Sequence, residues 1–177
     1  ISQFFASKNV KTHFNMHAYQ DAILYPWGYI DALTPDSSTY KEFANDMAVY
    51  NGYVTGNSSQ ILGYPSNGSV RDWMYGEQTS KNKVYGYTIE IGNSSDGFWP
   101  PQSRIFPIAQ INVKVLMYQS WVAGEYPALL SPNFTQHYFN PGNFIQFQPS
   151  FKNKGLSAAN NLTVSLTSLS TYATVSN

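Results

Sequence analysis

Short apolar runs in the first two thirds of the chain have the pattern of β-strands. Residues 10–16 and 22–25 are brief apolar stretches bounded by polar or turn-forming residues. Residues 83–91 place a tyrosine or an isoleucine at every second position, which is the period of a strand. We therefore predict three strands here, preceded by a helix that ends within residues 1–8.

Two longer segments have the spacing of amphipathic helices, one after a cap at Asp36 or Ser37 and one over residues 108–122. We interpret their apolar stripes as core packing. The stripes consist of Tyr40, Phe43, Ala44, Met47 and Tyr50 in the first helix and Ile108, Ile111, Val115, Tyr118 and Val122 in the second. Between the helices we expect a long loop over residues 53–64 and one helical turn within residues 72–77.

The pattern changes after Gly124. Residues 134–139, 143–151 and 161–167 are short alternating segments separated by turn-forming residues. We predict a small all-β, sandwich-like appendage over residues 128–177, following an α/β domain over residues 1–127. This number of strands is too small for a stable sandwich, and we therefore expect the appendage to be incomplete.

The composition excludes several classes of function. The 177 residues are 42% hydrophobic and only 11% charged, with a net charge of zero, so no basic surface is expected for nucleic acid. The chain has no cysteine, which excludes thiolate catalysis and disulfides. It also has no apolar run long enough to span a membrane, and it begins without an initiator methionine. We expect the chain to be part of a longer, exported protein, secreted or held in the periplasm or at the cell surface.

Three residues are candidates for chemistry. His17 follows the first predicted strand and is either a structural histidine or a metal ligand. Glu90 lies in an apolar strand, where it has a cationic partner or serves as a general base next to a metal. Tyr64, between a glycine and a proline, is a substrate clamp or an ordinary loop aromatic.

Four ordered blocks, covering roughly residues 1–124, resemble zinc carboxypeptidases of the carboxypeptidase A type. They are His17-Ala18-Tyr19 followed by Leu24-Tyr25-Pro26-Trp27-Gly28, then Tyr64 nine residues before Trp73, then the strand that ends at Glu90, and finally Gly97-Phe98 with Pro107. The resemblance implies a mixed-sheet α/β/α fold, of which this chain is the C-terminal half. It also implies an exported, zinc-dependent peptidase of bacterial type that removes C-terminal amino acids from peptides and proteins.

The resemblance also implies a role for each matching residue. His17 would be a zinc ligand, and Glu90 would be the base that takes a proton from water activated by zinc. Tyr64 would close over the C-terminal end of the substrate, with Tyr19 and Phe98 lining the cleft. By the same resemblance Arg71 would stand at the floor of the pocket for the last side chain, and if it points inward it would favour an acidic residue there; the alternative is a surface pair with Asp72 or Glu77.

One departure from the family pattern is large. The family's other two zinc ligands form a His-x-x-Glu pair, and this chain contains none. His13 precedes His17 by four strand residues, or about 13 Å, and His137 lies in the predicted appendage. A catalytic zinc takes three protein ligands. The partner that this chain requires is therefore expected to be the N-terminal part of the catalytic domain, without which the fragment is inactive.

Two other readings remain open from the sequence. The first is a carboxypeptidase-like module that binds peptides or cell-wall peptides without cleaving them. The second is a structural role for the β-rich tail in adhesion or secretion. Retention of His17, Tyr64 and Glu90 together favours the enzyme, because a decayed site has no need of three separated chemical residues.

Overall fold

The computed structural model describes residues 2–131, 140–145 and 147–175. The chain divides into two compact units, residues 1–124 and residues 125–177. The first unit contains a helix α1 (Ser2–Ala6) and a four-stranded sheet. Among the described residues, no helix is both long and apolar enough to cross a membrane.

The sheet of the first unit is mixed, with the strand order β1-β4-β2-β3. Strand β1 (Thr12–His17) runs parallel to β4 (Tyr85–Glu90), and β4 runs antiparallel to β2 (Ala22–Leu24). Strand β2 then pairs in parallel with β3 (Val54–Gly56). The two strands that are furthest apart in sequence, β1 and β4, therefore lie side by side.

Helices cover both faces of this sheet. On one face lie α2 (Ser37–Asn51) and α5 (Gln102–Ala123), and on the other lies α4 (Val70–Gly76). The short helix α3 (Ser58–Leu62) directly follows β3. The α/β/α arrangement predicted from the sequence is thus confirmed for this half of the domain.

The tyrosine side chains of the sheet pack around Tyr40 of α2, which is fully buried. Its hydroxyl accepts a hydrogen bond from the backbone N–H of Gly86 at 3.2 Å, and its carbonyl accepts one from the hydroxyl of Tyr87 at 3.2 Å. The rings of Tyr25 and Tyr75 also contact it, with centroids at 5.9 and 5.5 Å. Because the hydroxyls of Tyr40 and Tyr87 have partners, these two large side chains can fill the core without stranding a polar group.

Several element predictions need correction. The predicted loop over residues 53–64 contains β3 and α3, and the second long helix begins at Gln102, with Pro107 inside it. Ile111 is 41% exposed instead of buried, whereas Asn112 beside it is 2% exposed. A search for apolar positions misses Asn112 because its side chain is polar. Asn112 is nevertheless buried, since it donates hydrogen bonds within the core to the hydroxyl of Tyr53 and the carbonyl of Ile108.

The second unit contains an antiparallel pair, β5 (Pro127–Ser131) and β6 (Ser150–Asn153). The predicted strand at 134–139 lies outside the described residues. The predicted strand at 161–167 is absent, and of the one predicted at 143–151 only the last two residues belong to β6. The alternation of apolar and polar residues at 161–167 is not sufficient for a strand. Apolar residues such as Leu162 and Val164 are exposed there and have no partner strand. A sandwich in this unit stays a prediction.

We expect Gly86→Ala to destabilise the first unit by about 1–3 kcal/mol, because overpacking a close contact costs that much. A Cβ at Gly86 would lie 2.9 Å from Cβ of Met74 and 3.0 Å from Cα of Arg71, where strand β4 meets helix α4. Urea denaturation followed by tryptophan fluorescence measures the change. Gly124→Ala is the matched control, since the nearest atom to its Cβ is 3.6 Å away. Equal midpoints for the two variants would contradict the close packing.

Candidate active site

The register between β1 and β4 places His17 directly opposite Glu90 at the ends of both strands. Nδ1 of His17 lies 4.0 Å from Oε1 of Glu90. The His17 side chain is 56% exposed, whereas that of Glu90 is 13% exposed. The two residues singled out in the sequence therefore meet at one edge of the sheet, with the imidazole open to solvent above a largely covered carboxylate.

Burial raises the pKa of Glu90 above its ordinary value. The charges of His17 and Arg71 oppose that effect, because a nearby cation favours the ionised carboxylate. Glu90 thus combines the partial desolvation and the cationic neighbours of a carboxylate that can exchange a proton. The raised pKa is in the direction expected for a general base.

Arg71 is buried below this pair, at 4% exposure. Its Nη1 donates to the Thr88 hydroxyl at 3.1 Å, and its Nη2 donates to the Ser58 hydroxyl. Its Nε is buried without a hydrogen-bond partner among the described residues. The alternative of a surface pair with Asp72 or Glu77 is therefore wrong, because the side chain points into the protein from α4.

Asp72, the neighbour of Arg71, binds backbone instead of the guanidinium. Its carboxylate accepts N–H hydrogen bonds from Gly28 at 2.9 and 3.0 Å and from Tyr29 at 3.1 Å. Burial raises the pKa of Asp72, and these hydrogen bonds and the Arg71 charge oppose the rise. Gly28 lies so close to Arg71 that a Cβ there would be 2.6 Å from Nη2. Asp72 thus fixes the turn after β2 against the buried arginine.

Two polar residues connect Arg71 with His17. The Thr88 hydroxyl donates to Oδ1 of Asn15 at 2.9 Å, and Nδ2 of Asn15 lies 2.6 Å from Nε2 of His17. Sequence reasoning missed Asn15, Thr88, Ser58 and Gly28. The period of two places Asn15 on the face of His17 and Thr88 on the face of Glu90, so a signal existed for these two. Ser58 is brought in only by the fold. Gly28 belongs to a block that carries the family resemblance, but its contact with Arg71 is made only by the fold.

The aromatic residues assigned to the cleft are partly brought together. The rings of Tyr19 and Phe98 meet edge to face, with centroids 5.0 Å apart. The Phe98 side chain is 78% exposed. Asp96, two residues before it, forms a two-point ion pair with Arg104 of α5 at 2.7 and 3.0 Å. Tyr64 is 60% exposed, and no bond joins it to His17, Glu90 or Arg71 in the described part of the chain.

The described residues do not form a zinc site on their own. No group of three or more His, Asp or Glu residues capable of holding a metal occurs within residues 2–131, 140–145 and 147–175. His17 has Asn15 beside its Nε2 and presents Nδ1 towards Glu90, so it offers one nitrogen donor. Because catalytic zinc takes three protein ligands, the donor set present here does not fit the metal without further residues.

The fold of this chain matches solved structures of thrombin-activatable fibrinolysis inhibitor. Bovine thrombin-activatable fibrinolysis inhibitor in complex with tick carboxypeptidase inhibitor superposes with a TM-score of 0.55 at 22% identity, over 62% of this chain and 38% of that chain. Another structure of thrombin-activatable fibrinolysis inhibitor gives 0.56 at 23% identity, over 64% and 29%. At these identities the likeness shows the fold.

Residues 1–115 match the zinc carboxypeptidase family, and the chain belongs to that family. A zinc carboxypeptidase of Saccharothrix mutabilis subsp. capreolus is 31% identical over 115 residues, which are 59% of this chain and 25% of the relative. Carboxypeptidase A4 of Mus musculus is 27% identical over 118 residues, or 62% and 27%. Carboxypeptidase A1 of Bos taurus is 29% identical over 109 residues, or 58% and 25%. The chain thus spans about a quarter of the length of these relatives.

We expect Asp72→Ala to destabilise the first unit by about 1–3 kcal/mol, the usual cost of leaving buried donors without an acceptor. The substitution strands the N–H groups of Gly28 and Tyr29 and removes a carboxylate close to Arg71. Thermal and urea unfolding measure the change. Asp31→Ala is the control, since Asp31 is exposed. If both variants unfold like the parent, Asp72 does not fix this turn.

Proposed function

We propose that this chain supplies one half of the active site of a zinc-dependent carboxypeptidase, which releases C-terminal amino acids from peptides and proteins. The observation that carries the proposal is the pairing of His17 with Glu90 at the ends of two parallel strands, 4.0 Å apart. Membership of the zinc carboxypeptidase family supports it. In this proposal His17 is one metal ligand, and the other two come from a segment that precedes this chain in the polypeptide.

Glu90 is the general base in this proposal. Zinc, when bound, supplies Lewis-acid activation of water at neutral pH. The Glu90 carboxylate takes the proton from the attacking water and returns it to the nitrogen of the leaving amine, so the carboxylate is regenerated in each turnover. Its position favours this role, because it is mostly covered and yet borders an exposed imidazole.

The remaining site residues are assigned to the substrate. Tyr64 is exposed and follows α3. In this proposal the segment that carries Tyr64 moves over the C-terminal end of the bound peptide. Tyr19 and Phe98, in edge-to-face contact, offer an apolar wall to the peptide before the cleaved bond. Arg71 is assigned to the side chain of the last residue. Export to the cell surface, periplasm or medium of a bacterium is the setting we propose for this activity.

A peptide-binding module without catalysis is the competing proposal. It draws support from the incomplete donor set, since the described residues contain no group of three or more His, Asp or Glu side chains that could hold a metal. The sequence of the whole polypeptide discriminates the two. A His-x-x-Glu pair before Ile1 supports the peptidase, and a full gene without one removes it.

We expect Glu90→Gln in the full polypeptide to retain zinc and to lower kcat for peptide hydrolysis by about 10²- to 10⁴-fold, the usual contribution of a general base. Glutamine keeps the shape of the side chain but cannot accept the proton. Zinc is measured by elemental analysis, and hydrolysis by release of the terminal amino acid.

Glu125→Gln makes the same chemical change at an exposed carboxylate of the second unit and is expected to leave both readings unchanged. Hydrolysis by Glu90→Gln at the parental rate would refute Glu90 as the base. Loss of zinc from this variant would instead assign Glu90 to the metal.

A further inference from the structure

The chain contains two Asn-Gly pairs, Asn51-Gly52 and Asn67-Gly68, and the fold gives them opposite surroundings. An asparagine before a glycine can react with its own backbone, because glycine has no side chain to shield its nitrogen from the neighbouring amide. The reaction needs a side-chain amide and a glycine N–H that are both free to move. The hydrogen bonds around each pair therefore decide whether it reacts.

The first pair is held by hydrogen bonds at both reacting groups. Nδ2 of Asn51 donates to Oδ1 of Asn112 at 3.1 Å, and Oδ1 of Asn51 accepts from the N–H of Tyr53 at 3.1 Å. The N–H of Gly52, at the end of α2, donates to the carbonyl of Ala48 at 2.7 Å. This pair can react only after the end of the helix has opened.

The second pair is exposed in the turn between α3 and α4. Within the part of the chain that the structure describes, neither the Asn67 side chain nor the Gly68 N–H has a hydrogen-bond partner. A Cβ built on Gly68, which has a φ of +71°, would meet no atom within 4 Å. The Asn67 amide and the Gly68 nitrogen are thus free to approach each other.

We propose that Asn67 is a site of spontaneous covalent modification, at which the asparagine becomes aspartate or isoaspartate. The Gly68 nitrogen attacks Cγ of Asn67, and the new N–Cγ bond closes a succinimide ring. The bond from Cγ to Nδ2 breaks, and ammonia leaves with the proton of the Gly68 N–H. Water then opens the ring. Attack of water at Cγ yields aspartate, and attack at the Asn67 main-chain carbonyl yields isoaspartate, without any oxidation or reduction.

The modification changes the charge of the segment that carries Tyr64. Residues 47–70 contain no Asp, Glu, Lys or Arg, so the product brings the first charge into this stretch. The isoaspartate product also adds a methylene group to the backbone, three residues after Tyr64 and next to Ser66. Ser66 anchors the segment, because its N–H donates to the Gly28 carbonyl at 2.7 Å.

The effect on activity rests on the proposed function, in which the Tyr64 segment moves over the C-terminal end of the peptide. That end carries a carboxylate, which a negative charge in the moving segment would repel. We therefore expect the modification to weaken peptide binding without slowing the chemical step. Asn67 is exposed, so water and salt screen the repulsion and keep the effect small.

The first experiment incubates the full polypeptide at neutral and at mildly alkaline pH and maps its peptides by mass spectrometry. The readout is the mass gain on replacement of NH2 by OH at each asparagine. We expect conversion at Asn67, faster at the higher pH because the deprotonated Gly68 nitrogen is the nucleophile. Conversion at Asn51 should be slower by about 10-fold or more, since its hydrogen bonds must first break. In urea the two pairs should convert at similar rates.

The second experiment uses variants of the full polypeptide. Asn67→Gln should block conversion at this position, because glutamine would have to close a larger ring. Asn67→Asp mimics the aspartate product and should raise KM for peptides by about 2- to 5-fold with kcat unchanged, the size of a screened charge interaction. Asn143→Asp makes the same change at an exposed residue of the second unit and should leave KM at the parental value.

The outcomes separate the modification from its effect. Asn67 that stays intact in the folded protein, or that converts no faster than Asn51, overturns the modification site. A parental KM for Asn67→Asp overturns the effect on substrate and leaves the site standing. If the polypeptide cleaves no peptide at all, the proposed function fails, whereas mass spectrometry still decides the modification.

Discussion

The parallel pairing of β1 with β4 is the constraint on which the rest of the site depends. It brings together residues that are 73 positions apart in sequence and sets His17 opposite Glu90 and Asn15 opposite Thr88. A slip of one residue would turn these side chains to the other face of the sheet. The packing around Tyr40 fixes the position of β4 against α2, because its hydroxyl and carbonyl bind Gly86 and Tyr87 of β4.

The two faces of the sheet differ in role. One face packs the aromatic core, and the other carries the polar residues of the candidate site. Towards α2 and α5 the strands present Tyr85, Tyr87 and Ile89, which are buried in an aromatic core. Towards α4 the same strand presents Gly86, Thr88 and Glu90. The absence of a side chain at Gly86 lets α4 approach closely enough for Arg71 to reach Thr88. A stable face therefore supports a polar face that would be costly to bury without such support.

The polar face of the sheet carries a continuous series of hydrogen-bonded side chains. Hydrogen bonds run from Ser58 and Arg71 through Thr88 and Asn15 to His17. Low dielectric strengthens each of these bonds and also makes each missing partner expensive. Within the part of the chain that the structure describes, Nε of Arg71 is buried without a hydrogen-bond partner, whereas Nδ1 of His17 faces Oε1 of Glu90.

The sequence by itself determined the elements with strong periodicity and the residues that carry the resemblance. The strand ending at Glu90 and the helix stripe through Tyr40 and Met47 were predicted because period and burial agree there. The tail strand at 161–167 was wrong, since alternation of side chains does not supply a partner strand. Only the tertiary structure decided that Arg71 is buried and that Ser58 and Gly28 adjoin it. Those contacts are made across separate segments, where neither period nor composition carries information about neighbours.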